Sequence, residues 1–122
     1  MQERIKQAIA HDKVIDITTR GRTSGEFRKI EMWYHYVDGQ VYITGLPGKR
    51  DWYANMVADP HFTFHLKESA QADLPATARP ITEDAERRDV LARILSKLGR
   101  PESDLPAWVE GSPLVAVTFD KL

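Results

Sequence analysis

The chain has 122 residues, no cysteine and a formal net charge of −1. This length suits one domain with its own core, and the missing cysteines exclude disulfides, zinc–thiolate sites and cysteine nucleophiles. The near-zero charge lacks the basic excess of a general nucleic-acid binder, and no segment approaches the ~20 apolar residues that cross a bilayer.

Taken from the N-terminus, residues 2 to 11 read as a short helix with Ile5, Ala8 and Ile9 on one face. The segment has no apolar signal core, so a single cytoplasmic domain over residues 1–122 is expected. VIDITTR, 14 to 20, is rich in β-branched residues and predicts a strand. Gly21 to Gly25 form a turn. A long strand is expected from about Phe27 to Val37, with Ile30, Met32, Tyr34 and Tyr36 on one face and Glu31, Trp33 and His35 on the other. Asp38-Gly39 is a hairpin signal, and residues 41 to 45 are the return strand.

Leu46-Pro47-Gly48 breaks the pattern before a short helix, for which Asp51 is the expected N-cap. Trp52, Asn55 and Met56 share one side of it, and Asp59-Pro60 ends it. HFTFHL, 61 to 66, alternates with Phe62, Phe64 and Leu66 inward. A strand at 75 to 81 reads as an edge because of its prolines. The longest helix runs from Thr82, as N-cap, to Leu98, with a stripe of Leu91, Ile94, Leu95 and Leu98; Gly99 and Pro101 stop it. A loop carrying Trp108 leads to a last strand at 113 to 119. The expected class is α+β: a mostly antiparallel, six-stranded split β-barrel with one long and two short helices.

Two stretches combine glycine with positive charge. The first is Arg20-Gly21-Arg22-Thr23-Ser24-Gly25, followed by Arg28 and Lys29. Its glycines allow positive φ and a close backbone approach. Clustered N–H groups, the Ser24 hydroxyl and forked arginine donors suit a phosphate. The second is Gly45, Gly48, Lys49, Arg50 and Asp51 at a helix start, where unpaired N–H groups favour anions. Either stretch alone is also how an ordinary solvated turn looks. Pairing of 27–37 with 40–46 would bring both to one end of the sheet, against one anionic ligand.

His61 and His65 lie ~13 Å apart along one strand face, too far to share a metal, so no metal site is expected. Ser24 lacks a nucleophile-elbow pattern, and no catalytic side chain is assigned. No side chain stands out as a proton donor; Tyr34 and Tyr36 are the candidates, neither favoured. Glu31 reads equally as an exposed charge or as a ligand contact. Trp33, Tyr34, Trp52 and Tyr53 crowd the same region and read as core or as a platform for a flat heteroaromatic ring.

The order TTRGRTSGEFRKIEMW, hairpin, GLPGKRDWYANMVADPHFTFHL, then ATARPITEDAERRDVLARIL resembles the deazaflavin-dependent nitroreductase family over roughly residues 14 to 120. These are split β-barrel proteins distantly similar to the FMN-binding pyridoxamine-phosphate-oxidase barrels. The resemblance implies coenzyme F420, a deazaflavin with a phosphate and an acidic tail, and hydride transfer to quinones or nitroaromatics. It places Arg22, Ser24, Gly25 and Arg28 against the cofactor, with Lys49 and Arg50, beside Gly45, supplying positive charge. It sets Ile30 and Glu31 on the strand passing the ring, and Trp52 and Asn55 on the helix shaping the site. Thr23 stands where many members carry a lysine or arginine, and Glu31 where many carry a proline. FMN is the alternative cofactor, a non-catalytic carrier of an anionic small molecule or lipid the alternative function, and a homodimer the expected assembly. A cofactor enzyme of this kind needs position and electrostatics from the protein rather than a catalytic triad.

Overall fold

The computed structural model describes residues 3–120, so the expected helix start at Gln2 and the last two residues lie outside it. Within that range the chain orders as α1 (Glu3–His11), β1 (Val14–Arg20), β2 (Phe27–Trp33), β3 (His35–Val37), β4 (Gln40–Thr44), α2 (Asp51–Ala58), β5 (His61–Leu66), β6 (Ala72–Pro80), α3 (Asp84–Leu98), α4 (Leu105–Gly111) and β7 (Leu114–Phe119). All pairings are antiparallel, and the strand order is β2-β1-β5-β6-β7-β4-β3. The described residues thus form seven strands and four α-helices, one more of each than expected.

The extra strand comes from a break in the expected 27–37 segment. β2 and β3 are separated by Tyr34 alone, yet they occupy opposite edges of the sheet. A seven-stranded sheet can satisfy both facts only by curling until its edges meet at that residue. The result is a half-barrel. Tyr34 holds the crossing: its N–H donates to the Lys13 carbonyl at 3.0 Å, and its buried hydroxyl donates to the Ile9 carbonyl at 2.7 Å. The expected hairpin register is therefore corrected. Phe27 lies opposite Arg20 rather than near Gly45, and only 35–37 pair with 40–42.

The sheet has two covered regions. Inside the curl, Ile15, Ile17, Ile43, Phe64, Leu66, Val115 and Val117 pack with α1 and α2 residues such as Ile9, Trp52 and Met56. On the outer face of β4 and β7, Tyr42, Leu114 and Ala116 pack against Val90, Leu91, Ile94 and Leu95 of α3 and Trp108 and Val109 of α4. Coverage on both faces explains why VYIT and LVAV read as continuous apolar runs instead of alternating ones. Burial of each such side chain stabilises the fold by roughly 1.5–3 kcal/mol.

Four further expectations change. The strand at 75 to 81 is Ala72–Pro80 and lies inside the sheet, between β5 and β7. Pro75 is tolerated because it sits just past the end of the β6–β7 ladder; its carbonyl accepts from Asp120 N at 3.0 Å. The long helix is capped by Glu83, not Thr82, its carboxylate accepting from Glu86 N at 2.8 Å and Ala85 N at 3.1 Å. Its buried stripe takes Val90 in place of Leu98, which is exposed. The segment around Trp108 is a helix, begun by Leu105-Pro106; proline fits a first turn, where its missing N–H has no partner to lose.

Candidate functional site

The turn after β1 is built by its own backbone. Gly21 N donates to the Glu26 carbonyl at 2.7 Å, Gly25 N donates to the Gly21 carbonyl at 2.9 Å, and Ser24 Oγ accepts from Glu26 N at 3.1 Å. Gly25 sits at φ +73°, where a side chain is strained. This knot presents Arg22 toward α2. Arg22 N and Nη1 both donate to Asn55 Oδ1, at 3.1 and 2.9 Å, and its Nη2 reaches Asp51 Oδ1 at 3.5 Å. Asn55 is buried on the inner side of α2, where its amide also approaches Thr19 Oγ1. The two glycine-basic stretches do converge, through α2 and not through the hairpin.

The second stretch folds back on itself. Arg50 donates to the carbonyls of Leu46 and Lys49, at 3.0 and 3.1 Å. Gly48 adopts φ +138°, and a Cβ there would meet Arg50 Nη1 at 2.9 Å. Gly48 N donates to the Gly111 carbonyl at 3.0 Å, which ties the loop to the end of α4. Arg50, not Asp51, is the N-cap residue of α2, and no side chain caps that helix start. Among the described residues its first N–H groups therefore have no capping acceptor.

Two clefts flank this helix start. The larger, about 490 Å³, is lined by Arg22, Gly48, Lys49, Arg50, Asp51 and Tyr53 on one side and by Thr82, Glu110 and Ser112 on the other. The smaller, about 340 Å³, is lined by Gly21 to Ser24, Arg28, Asp51 and Asn55. They share Arg22 and Asp51. Among the described residues neither the Lys49 ammonium nor the Arg28 guanidinium is held in an ion pair, so each cleft carries a cation without a close carboxylate partner; the larger also carries Glu110, likewise outside any ion pair.

Residues 2–107 match the F420H(2)-dependent quinone reductase family. The chain belongs to this family. It is an F420-dependent oxidoreductase, and its cofactor is coenzyme F420. No curated protein matches it in sequence. Among solved structures, it is similar to an F420 reductase at 14% identity and TM-score 0.70, covering 98% of this chain and 95% of that one. It is likewise similar to an F420-H2-dependent reductase, FDR-A, at 21% identity and TM-score 0.57, covering 87% and 94%. Conserved hypothetical protein Rv2991 from Mycobacterium tuberculosis matches at 18% identity and TM-score 0.71, covering 99% and 82%. At these identities the structures speak to the fold.

The residues expected at the site divide into three groups. Arg22, Ser24, Arg28, Lys49, Arg50 and Asn55 line the two clefts. Gly25 and Gly45 shape the adjoining turns, against the Arg20 and Arg50 side chains respectively. Ile30, Glu31 and Trp52 line neither: Ile30 is exposed on the edge strand, Glu31 takes Lys67 as its ion-pair partner, and Trp52 is buried edge-on to Tyr53. Tyr34 is withdrawn from acid–base work, because burial pushes its phenol above the ordinary range and its hydroxyl is spent on α1. Sequence reasoning missed Thr82, Glu110 and Ser112. For Glu110 and Ser112 the missed signal was local: Leu105, Trp108 and Val109 have helical spacing around Pro106.

Proposed function

We propose that the paired clefts hold coenzyme F420 for reduction of a quinone or nitroaromatic acceptor, and that the whole chain acts as one deazaflavin-binding domain. The observation that carries this reading is the shared wall of Arg22 and Asp51 between two clefts that each hold an unpaired cation. Such a donor set suits an elongated ligand, flat at one end and anionic along the other. Lys49, Arg22 and Arg28 would hold the phosphate and acidic tail, with the open N–H groups of α2 adding to the field. Gly48, Tyr53 and the end of α4 would enclose the ring. When bound, the reduced deazaflavin supplies the hydride. The protein's part is to bind, to orient and to shield. Asn55 does this at one remove, by fixing Arg22 with two bonds.

The test is a fluorescence titration of the protein with F420 and, separately, with FMN. Lys49→Ala and Arg28→Ala should each weaken F420 binding by roughly 1.5–3 kcal/mol if the anion contacts are charge-assisted. Affinity unchanged in both variants, or tighter binding of FMN, would overturn the assignment. We also propose a homodimer, covering the apolar side chains that β2 leaves exposed: Phe27, Ile30 and Trp33 are 72%, 40% and 57% accessible along one edge strand.

A further inference from the structure

Ser112 follows α4 and lines the larger cleft. It lies beyond the residues matched to the family, which end at 107. Its main chain is fully engaged: the N–H donates to the Trp108 carbonyl at 2.9 Å, and the carbonyl accepts from Arg87 Nη2 at 2.7 Å. The next residue, Pro113, accepts from Thr44 Oγ1 at 2.6 Å. The position is therefore held from both sides.

Its hydroxyl is different. Ser112 is 4% exposed, and among the described residues its Oγ is the one buried side-chain polar atom with no hydrogen-bond partner. A buried hydroxyl without a partner costs free energy that an alanine would not. Nor does the fold use serine here as a cap. Serine is favoured at helix N-termini, where it accepts from free N–H groups, whereas this is a C-terminal position. Among the described residues nothing calls for a hydroxyl at 112.

Building on the F420 reading, we propose that Ser112 is a binding residue for that cofactor, its hydroxyl hydrogen-bonding a carbonyl or ring N–H at the polar edge of the heteroaromatic ring. A turn about χ1 to another staggered well would carry the hydroxyl toward the cleft that Ser112 lines, with the fixed backbone left in place. The hydroxyl can donate or accept, so it serves either kind of edge atom. Its lack of a partner in the free protein is then the counterpart of a bond made only with ligand.

Two measurements on Ser112→Ala test this. Without ligand, the variant should melt about 2–4 °C higher than wild type, since it loses an unsatisfied group. In a fluorescence titration with F420 alone, its dissociation constant should rise about tenfold. A purely structural role predicts a lower melting temperature and unchanged affinity, and either result overturns the proposal. A raised KM for a quinone with F420 affinity intact also overturns it, because the hydroxyl would then serve the acceptor. Failure of wild-type protein to bind F420 removes the cofactor reading and this assignment together. Binding by wild type and variant alike removes this assignment alone.

Discussion

Asn55 shows how one polar side chain couples core to cleft. Its carboxamide is buried beside Trp52 and Met56, and its oxygen accepts twice from Arg22. That pair turns a mobile surface arginine into a fixed wall of both clefts. His35 makes a different residue-scale point. Burial, with Lys97 nearby, lowers its imidazole from 6.5 to about 4. The folded protein therefore holds it neutral at pH values where the unfolded chain would protonate it. Stability from this group is complete above about pH 6.5 and is lost progressively as pH falls toward 4, by about 1–3 kcal/mol for this half-buried ring. Urea unfolding at about pH 7 and about pH 5 measures it. His35→Gln should flatten the difference between the two conditions; an equally steep loss in that variant would assign it to other groups.

At the scale of elements, Arg87 is the joint between α3, α4 and the end of β6. Its guanidinium donates to four carbonyls: Val109 at 2.9 Å, Ile81 at 2.9 Å, Trp108 at 3.1 Å and Ser112 at 2.7 Å. Three of these belong to the C-terminal end of α4 and the residue after it, where a cation is favoured by the helix dipole. Arg87→Leu takes a donor from all four acceptors, of which Trp108 keeps the Ser112 N–H, and should lower stability by about 2–4 kcal/mol. Arg87→Lys should recover only part, because a single ammonium cannot span the fork. Thermal unfolding of both variants checks the order, and a leucine variant as stable as wild type would show the carbonyls finding other partners. The same joint sets the wall of the larger cleft, since 110–113 carry Glu110 and Ser112 into it.

At the scale of the whole molecule, the curl that brings β2 and β3 together leaves β2 paired on one side only. Its exposed Phe27 and Trp33 share the outer face with Lys29 and Glu31, opposite Arg20, Thr18, Asp16 and Val14 of β1. An edge strand this apolar is normally covered or blunted. The full chain should sediment as a dimer, and Trp33→Lys should shift it toward monomer while leaving melting of the monomer fold nearly unchanged. A monomeric wild type at the same concentration would end the dimer proposal.

Local chemistry settled much of this protein before any tertiary contact. Alternation in HFTFHL, β-branching in VIDITTR and the inward set Trp52, Asn55, Met56 were all readable, because each depends on neighbours one to four residues away. So were the two cationic glycine turns, since backbone freedom and charge are properties of the residues themselves. What the chain folded to was needed for the rest. The break at Tyr34 depends on bonds to Lys13 and Ile9, more than twenty residues distant. The interior place of β6 depends on strands before and after it. The meeting of Arg22 with Asn55, and of Gly48 with Gly111, joins segments whose spacing along the chain carries no trace of their contact. Periodicity reports which side of an element turns inward; only closure of the sheet decides which elements face one another across a cleft.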